Sequence, residues 1–253
     1  MKNTLTLAKV FLLELIREKL LVVGIALSIA LSLLGMALGN LSFDEKSRII
    51  FHLSLTALHL VSLGLAVVFG ATVLSKEIEK QTCLLVLIRP VSRSQFYIGK
   101  FLAISGLILI FQFLVSIVIG LLLLDEMKIP SYLMIFSGFY LEIGLILAAT
   151  LLASVVIRPS IALFFGVGFF LIGNWIPEFE YFSSKSESPI FKLIGSTIRV
   201  WFPNLYRLNW RSFAVMNEPI ATAEYLNSMI HGFCWLGLLL LAGTLLWKRR
   251  DLV

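Results

Sequence analysis

Glu142 is the residue whose chemistry is least in keeping with its surroundings. It is the only formal charge between Lys128 and Arg158, in a stretch otherwise made of Leu, Ile, Phe, Ala and small residues. A carboxyl at the centre of a membrane helix costs about 2.5–3.5 kcal/mol to insert, whereas each surrounding Leu, Ile, Phe or Val returns about 0.3–0.6 kcal/mol, so the helix still inserts. Such a group avoids lipid and faces other helices or a wet cavity. Possible polar neighbours are Thr56, His59, Ser62 and Asn174. Two roles follow: Glu142, with His59, lines a substrate pathway or a dimer seam, or it is a hydrogen-bonded tie between helices. His52, His59 and His231 show no paired ligand spacing, so no metal site is expected. Cys83 and Cys234 have no CxxC partner and signal neither a zinc site nor a disulfide framework. A phosphate-cradling GxxxxGK[ST] is missing, since Gly99 and Lys100 are followed by Phe101 without a correctly spaced upstream Gly. No Ser/His pair or clustered acids form a hydrolytic constellation, and no catalytic residue is assigned.

The elements that must hold Glu142 are set by composition. Hydrophobic residues make up 59% of the 253 and charged ones 14%, with a mean hydropathy of +0.97. A water-soluble fold of this size cannot bury that much apolar surface. Apolar runs that approach or exceed the ~20 residues needed to cross a ~30 Å hydrocarbon core place six spans at about 20–41, 49–75, 101–124, 131–157, 160–177 and 225–247. Spanning strands would alternate in polarity, and these runs are apolar on all sides, so the class is all-α integral membrane. Spans four and five meet at Arg158 and Pro159, where the chain must reverse, with Pro159 opening the fifth helix. Gly35 and Gly39 make a GxxxG that permits close helix approach, with packing inside the chain favoured over a dimer motif.

The net charge of +6 lies at the ends of the apolar runs, which points to lipid head groups and away from nucleic acid. Lys2, Lys9, Arg17, Lys19, Lys76, Lys80, Arg89, Arg93, Lys100, Arg158, Lys248, Arg249 and Arg250 gather on one side. The opposite short loops hold only Lys46, Arg48 and Lys128 beside acids. The positive-inside rule then puts both termini in the cytoplasm of a multi-pass protein of the cytoplasmic membrane. Residues 1–19 read as an amphipathic helix on the inner membrane surface. Residues 178–224, where Phe179, Tyr181, Phe182, Trp201 and Trp210 mix with Lys192, Arg199, Arg207 and Arg211, read as external amphipathic helices, either a lid or an anchor. The whole chain, 1–253, is one transmembrane domain.

Residues 76–100 form the one cytoplasmic connection long enough to hold structure. Glu77 and Glu79 open a short helix that ends by Arg89, because Pro90 disfavours helical geometry in the residue before it. Ser92 and Gln95 form a capping box that starts a helix running through Lys100 into span three. The result is a knob attached to two spans, able to receive force from a soluble partner; alternatively, its charges only solvate a loop and set orientation.

This segment resembles the cytoplasmic motif of type 2 ABC exporter permeases: Glu77 and Glu79, Thr82, Leu84 and Leu85, Pro90-Val91-Ser92-Arg93, then Gly99-Lys100, with Gln81 where the family usually has Gly. AKVFLLELIREKL near the amino terminus resembles the family's elbow helix, and VWFPNLYRLNW at 200–210 the segment before its last span. The resemblance implies a membrane-spanning exporter subunit that pairs with a second permease chain as a homodimer and with two copies of an ABC ATPase subunit. ATP and Mg would be bound by that partner, and no cofactor by this chain. Carried over, Glu77, Glu79, Thr82, Arg89, Pro90, Arg93 and Lys100 become ATPase-coupling residues. A different class, an ATP-independent secondary transporter or channel, predicts function without an ATPase and usually several intramembrane charges, where Glu142 stands alone. The cargo is not readable from the residues.

Overall fold

The computed structural model describes residues 2–41, 46–79, 92–122, 129–186, 188–211 and 220–250. Among these, all regular structure is helical: α1 (Lys2–Ile16), α2 (Lys19–Gly39), α3 (Lys46–Glu79), α4 (Arg93–Leu122), α5 (Ile129–Val156), α6 (Pro159–Asn174), α7 (Ile176–Lys185), α8 (Pro189–Trp201), a 3-10 turn at Leu205–Leu208, and α9 (Thr222–Arg249). Helices α2, α3, α4, α5 and α9 are long and apolar enough to cross a membrane, and α6 and α7 count as a sixth only where the bent pair is one broken span and not a re-entrant loop.

The fifth span differs from the continuous 160–177 segment expected from hydropathy. Helix α6 has 16 residues, about 24 Å at ~1.5 Å per residue, and the chain turns by 55° before α7. Pro177 explains the break. It occupies the first turn of α7, has no N–H to give the carbonyl four residues back, and so ends the preceding helix. At the other end Pro159 opens α6 behind Arg158, whose backbone is extended, and this makes the reversal between α5 and α6.

Helix α5 is the axis of the bundle, flanked by α3, α4, α6 and α9, while α2 lies outside against α3. The α2–α3 contact runs along Gly24, Ser28, Ser32, Gly35 and Gly39, the buried stripe of α2. A Cβ at Gly35 would lie 3.2 Å from Leu53, and one at Gly39 3.0 Å from the Lys46 carbonyl, so the GxxxG serves packing within the chain. Hydroxyls buried among these helices turn back to their own backbone. Ser28, Ser32, Ser62, Ser75 and Thr150 each donate to the carbonyl four residues earlier, which satisfies them where no water is present.

The segment after α8 folds back onto the bundle: Leu205, Leu208 and Trp210 are buried. The contact depends on Gly138 of α5, where a Cβ would come within 2.5 Å of the Leu208 carbonyl oxygen and 3.0 Å of the Trp210 ring. Backbone cannot yield as a flexible side-chain tip can. Gly138→Ala is therefore expected to destabilise the protein by about 1–3 kcal/mol, seen as a lower melting temperature in detergent. Gly144→Ala on the same helix, with nothing within 4 Å of the added Cβ, should gain up to about 1 kcal/mol from helix propensity.

Candidate functional site

Two polar constellations interrupt the apolar bundle. The first is built around Glu142, whose side chain is completely buried. Helix α3 brings His59, its Nε2 3.0 Å from Glu142 Oε2. Helix α6 brings Asn174 at its last residue, and Nδ2 donates to Glu142 Oε1 at 2.9 Å. Both carboxyl oxygens thus have a partner from a different helix. The imidazole lies beside Phe139 and Phe170, with ring centroids 4.8 and 5.8 Å away, so its apolar faces are packed while its nitrogen meets the carboxyl. Of the neighbours expected from sequence, His59 and Asn174 bond directly to Glu142. Ser62 instead accepts from Gln112 Nε2 of α4 at 3.3 Å.

Thr56 enters through a residue that sequence reasoning did not connect to this site. Arg211, beyond the 3-10 turn, donates through Nη1 to Thr56 Oγ1 at 3.0 Å, and Thr56 donates to the His52 carbonyl at 2.6 Å. Burial pushes the Arg211 guanidinium below its ordinary value, and the charge of nearby Glu142 opposes that push. Nothing in the spacing of a loop arginine in an aromatic stretch links it to an acid far back in the chain. The cluster therefore holds one carboxyl, one imidazole and one guanidinium, drawn from α5, α3 and the loop before α9. It can hold or share a proton between Glu142 and His59 and can place a fixed positive charge beside them. Among the described residues no group of three His, Cys, Asp or Glu side chains could hold a metal.

The second constellation lies where α1, α3, α4 and α9 meet. Lys100 of α4, only 2% exposed, is ion-paired with Glu77 of α3. Its ammonium sits 3.4 Å from the centroid of the Phe11 ring of α1, a cation–π contact. Phe11 meets Phe96 edge-on at 5.7 Å, and Phe96 stacks on Trp247 of α9 at 5.7 Å. Arg93 reaches the same helix from outside: its Nη1 donates to the carbonyls of Lys248 and Arg250 at 3.1 and 2.9 Å. A cation on the last carbonyls of a helix is favoured by its dipole. The capping box forms reciprocally, Ser92 N–H donating to Gln95 Oε1 at 3.0 Å and Gln95 N–H to Ser92 Oγ at 3.2 Å.

Of the residues singled out for coupling, the structure brings together Glu77 and Lys100 and sets Arg93 on the end of α9. Lys100 is enclosed, and its ion pair and ring contact are within the chain. Thr82, Arg89 and Pro90 lie outside the described residues, as does the side chain of Glu79.

The family model described as ABC-2 family transporter protein matches residues 12–176, a stretch that includes Glu77, Lys100, His59, Glu142 and Asn174. No curated protein matches the chain.

Glu142→Leu would remove the carboxyl that meets His59, at about 1–3 kcal/mol for a stranded polar group, and would leave Asn174 Nδ2 with only its 3.2 Å bond to the Phe170 carbonyl. Glu142→Gln keeps the shape and an oxygen. The melting temperature of the detergent-solubilised protein should fall by several degrees more for Leu than for Gln; equal melting of the two would remove the inter-helix tie.

Proposed function

The chain belongs to the ABC-2 transporter family, and from that premise we propose that it is the membrane-spanning permease subunit of an ATP-driven exporter. Two such chains pair, and two separate ATPase subunits bind ATP and Mg and grip residues 76–100 from the cytoplasm. The observation that carries this reading is the Lys100 junction. The two helices that flank the gripped segment, α3 and α4, are pinned to each other by a buried ion pair. They are also pinned to α1 through Phe11 and to α9 through Trp247 and Arg93. Force delivered at that segment therefore reaches four helices at once, because packed elements move as units and do not deform continuously.

Within this scheme Glu142 acts as an internal clasp. It has no exposed surface in the single chain, which favours a tie between α3, α5 and α6 over a position on a seam between copies. Opening of the cargo route then requires His59 and Asn174 to part from Glu142.

Proteoliposomes holding the chain with its ATPase test the proposal. Lys100→Met should leave the ATPase associated but lower transport per ATP about tenfold, a loss of coupling on the scale of 1–3 kcal/mol. Glu79→Lys should weaken association itself. Transport by the chain alone, without any ATPase, would refute the reading. Glu142→Gln should change the pH dependence of transport, and an unaltered profile would exclude a role for its charge.

A further inference from the structure

Helices α7 and α8 form a hairpin at the end of the bundle where α6 stops, and they enclose an open groove of about 750 Å³. Their close approach depends on Gly195. A Cβ there would fall 2.5 Å from Ser183 Oγ, so these two residues seal the floor. On α8 the spacing Lys192, Ser196, Arg199 sets two cations and a hydroxyl along one stripe, and all three line the groove. From α7 come Ser184 and Glu180, the latter 2.8 Å from Arg199 Nε. Two cations against one carboxylate leave the groove with a net charge of +1.

The other stripe of α8 is apolar and unburied: Ile190 is 71% exposed, Leu193 67% and Trp201 74%. In a chain whose neighbouring helices cross a bilayer, such a face lies in the acyl region. The basic stripe is thereby held at the level of the head groups. We propose that this groove binds the phosphate diester of an anionic phospholipid, its acyl chains leaving past the exposed Tyr181 and Val200 at the groove's edge into the acyl region that also receives the apolar stripe of α8. Charge selects the phosphate: Lys192 is left as a net cation, and Arg199 exchanges Glu180 for a ligand oxygen with two lone pairs or more. The adjoining apolar face selects a lipid over free phosphate. The site is separate from the Glu142 cluster and from the cytoplasmic junction, and it does not depend on how transport is energised.

Native mass spectrometry of the full chain in detergent, titrated with phosphatidylglycerol, phosphatidylcholine or inorganic phosphate, tests the assignment. Wild type should retain phosphatidylglycerol in preference to phosphatidylcholine. The double variant Lys192→Gln/Arg199→Gln should weaken phosphatidylglycerol binding by roughly thirtyfold and abolish the preference, the scale expected for two basic residues beside an anionic head group. Glu180→Gln removes the competing carboxylate and should strengthen binding by about fivefold, a gain that no folding defect imitates. An unchanged preference in the double variant, or no gain in Glu180→Gln, overturns the site. Displacement of phosphatidylglycerol by an equal concentration of inorganic phosphate overturns its assignment to lipid.

Discussion

A carboxyl shut inside apolar helices has no solvent to fall back on, so its hydrogen bonds must come from the chain that encloses it. Glu142 meets this condition with one partner on α3 and another at the tip of α6. The rest of the bundle is arranged around the geometry that results. Helix α6 must end where Asn174 can reach inward, α3 must turn His59 toward α5, and the loop that carries Arg211 must lie over Thr56. One acidic group thereby holds α3 and α6 in register on α5, and Arg211 ties its loop to α3 through Thr56. Apolar packing alone specifies such registers weakly, because lipid tails compete for the same surfaces.

The Lys100 junction obeys the same rule with the signs reversed. Lys100 is a cation that would be costly to bury unpaired. Its compensation comes from the Glu77 carboxylate and the face of Phe11. One partner is on α3 and the other on α1, so satisfying the ammonium fixes the amino-terminal helix against the base of two spans. Arg93 adds a constraint of another kind, holding the terminal carbonyls of α9. Polar contacts in these two constellations thus do what a hydrophobic core does in water: they help to determine which helices are neighbours.

Much of this architecture was legible in the residues. Hydropathy located the long apolar helices, Pro159 marked the reversal between α5 and α6, and the Ser92–Gln95 pattern marked the first turn of α4. Glu142 stood out as a lone charge, and His59 and Asn174 were among the side chains able to reach it. The fifth run, read as 160–177, stopped within a few residues of the end of α6, but the 55° turn into α7 has no signature in hydropathy. Arg211 was missed because its link to the cluster is made by tertiary folding of a loop and has no periodicity. Lys100 was read as one of the coupling residues of the cytoplasmic knob, with no sign that it is buried. Only the arrival of Phe11 and Glu77 from distant segments turns it inward.

The brevity of α6 has a bearing on the lipid around the protein. A rod of about 24 Å set beside longer neighbours falls short of a hydrocarbon slab of about 30 Å, so a crossing on this flank is complete only if α7 continues it past the 55° bend, and a leaflet next to α6 alone would have to thin. Such thinning would lie on the flank where Asn174 closes the acid's surroundings. The mismatch also gives the protein a preference among bilayers, because a thinner slab relieves the deformation that a thicker one imposes.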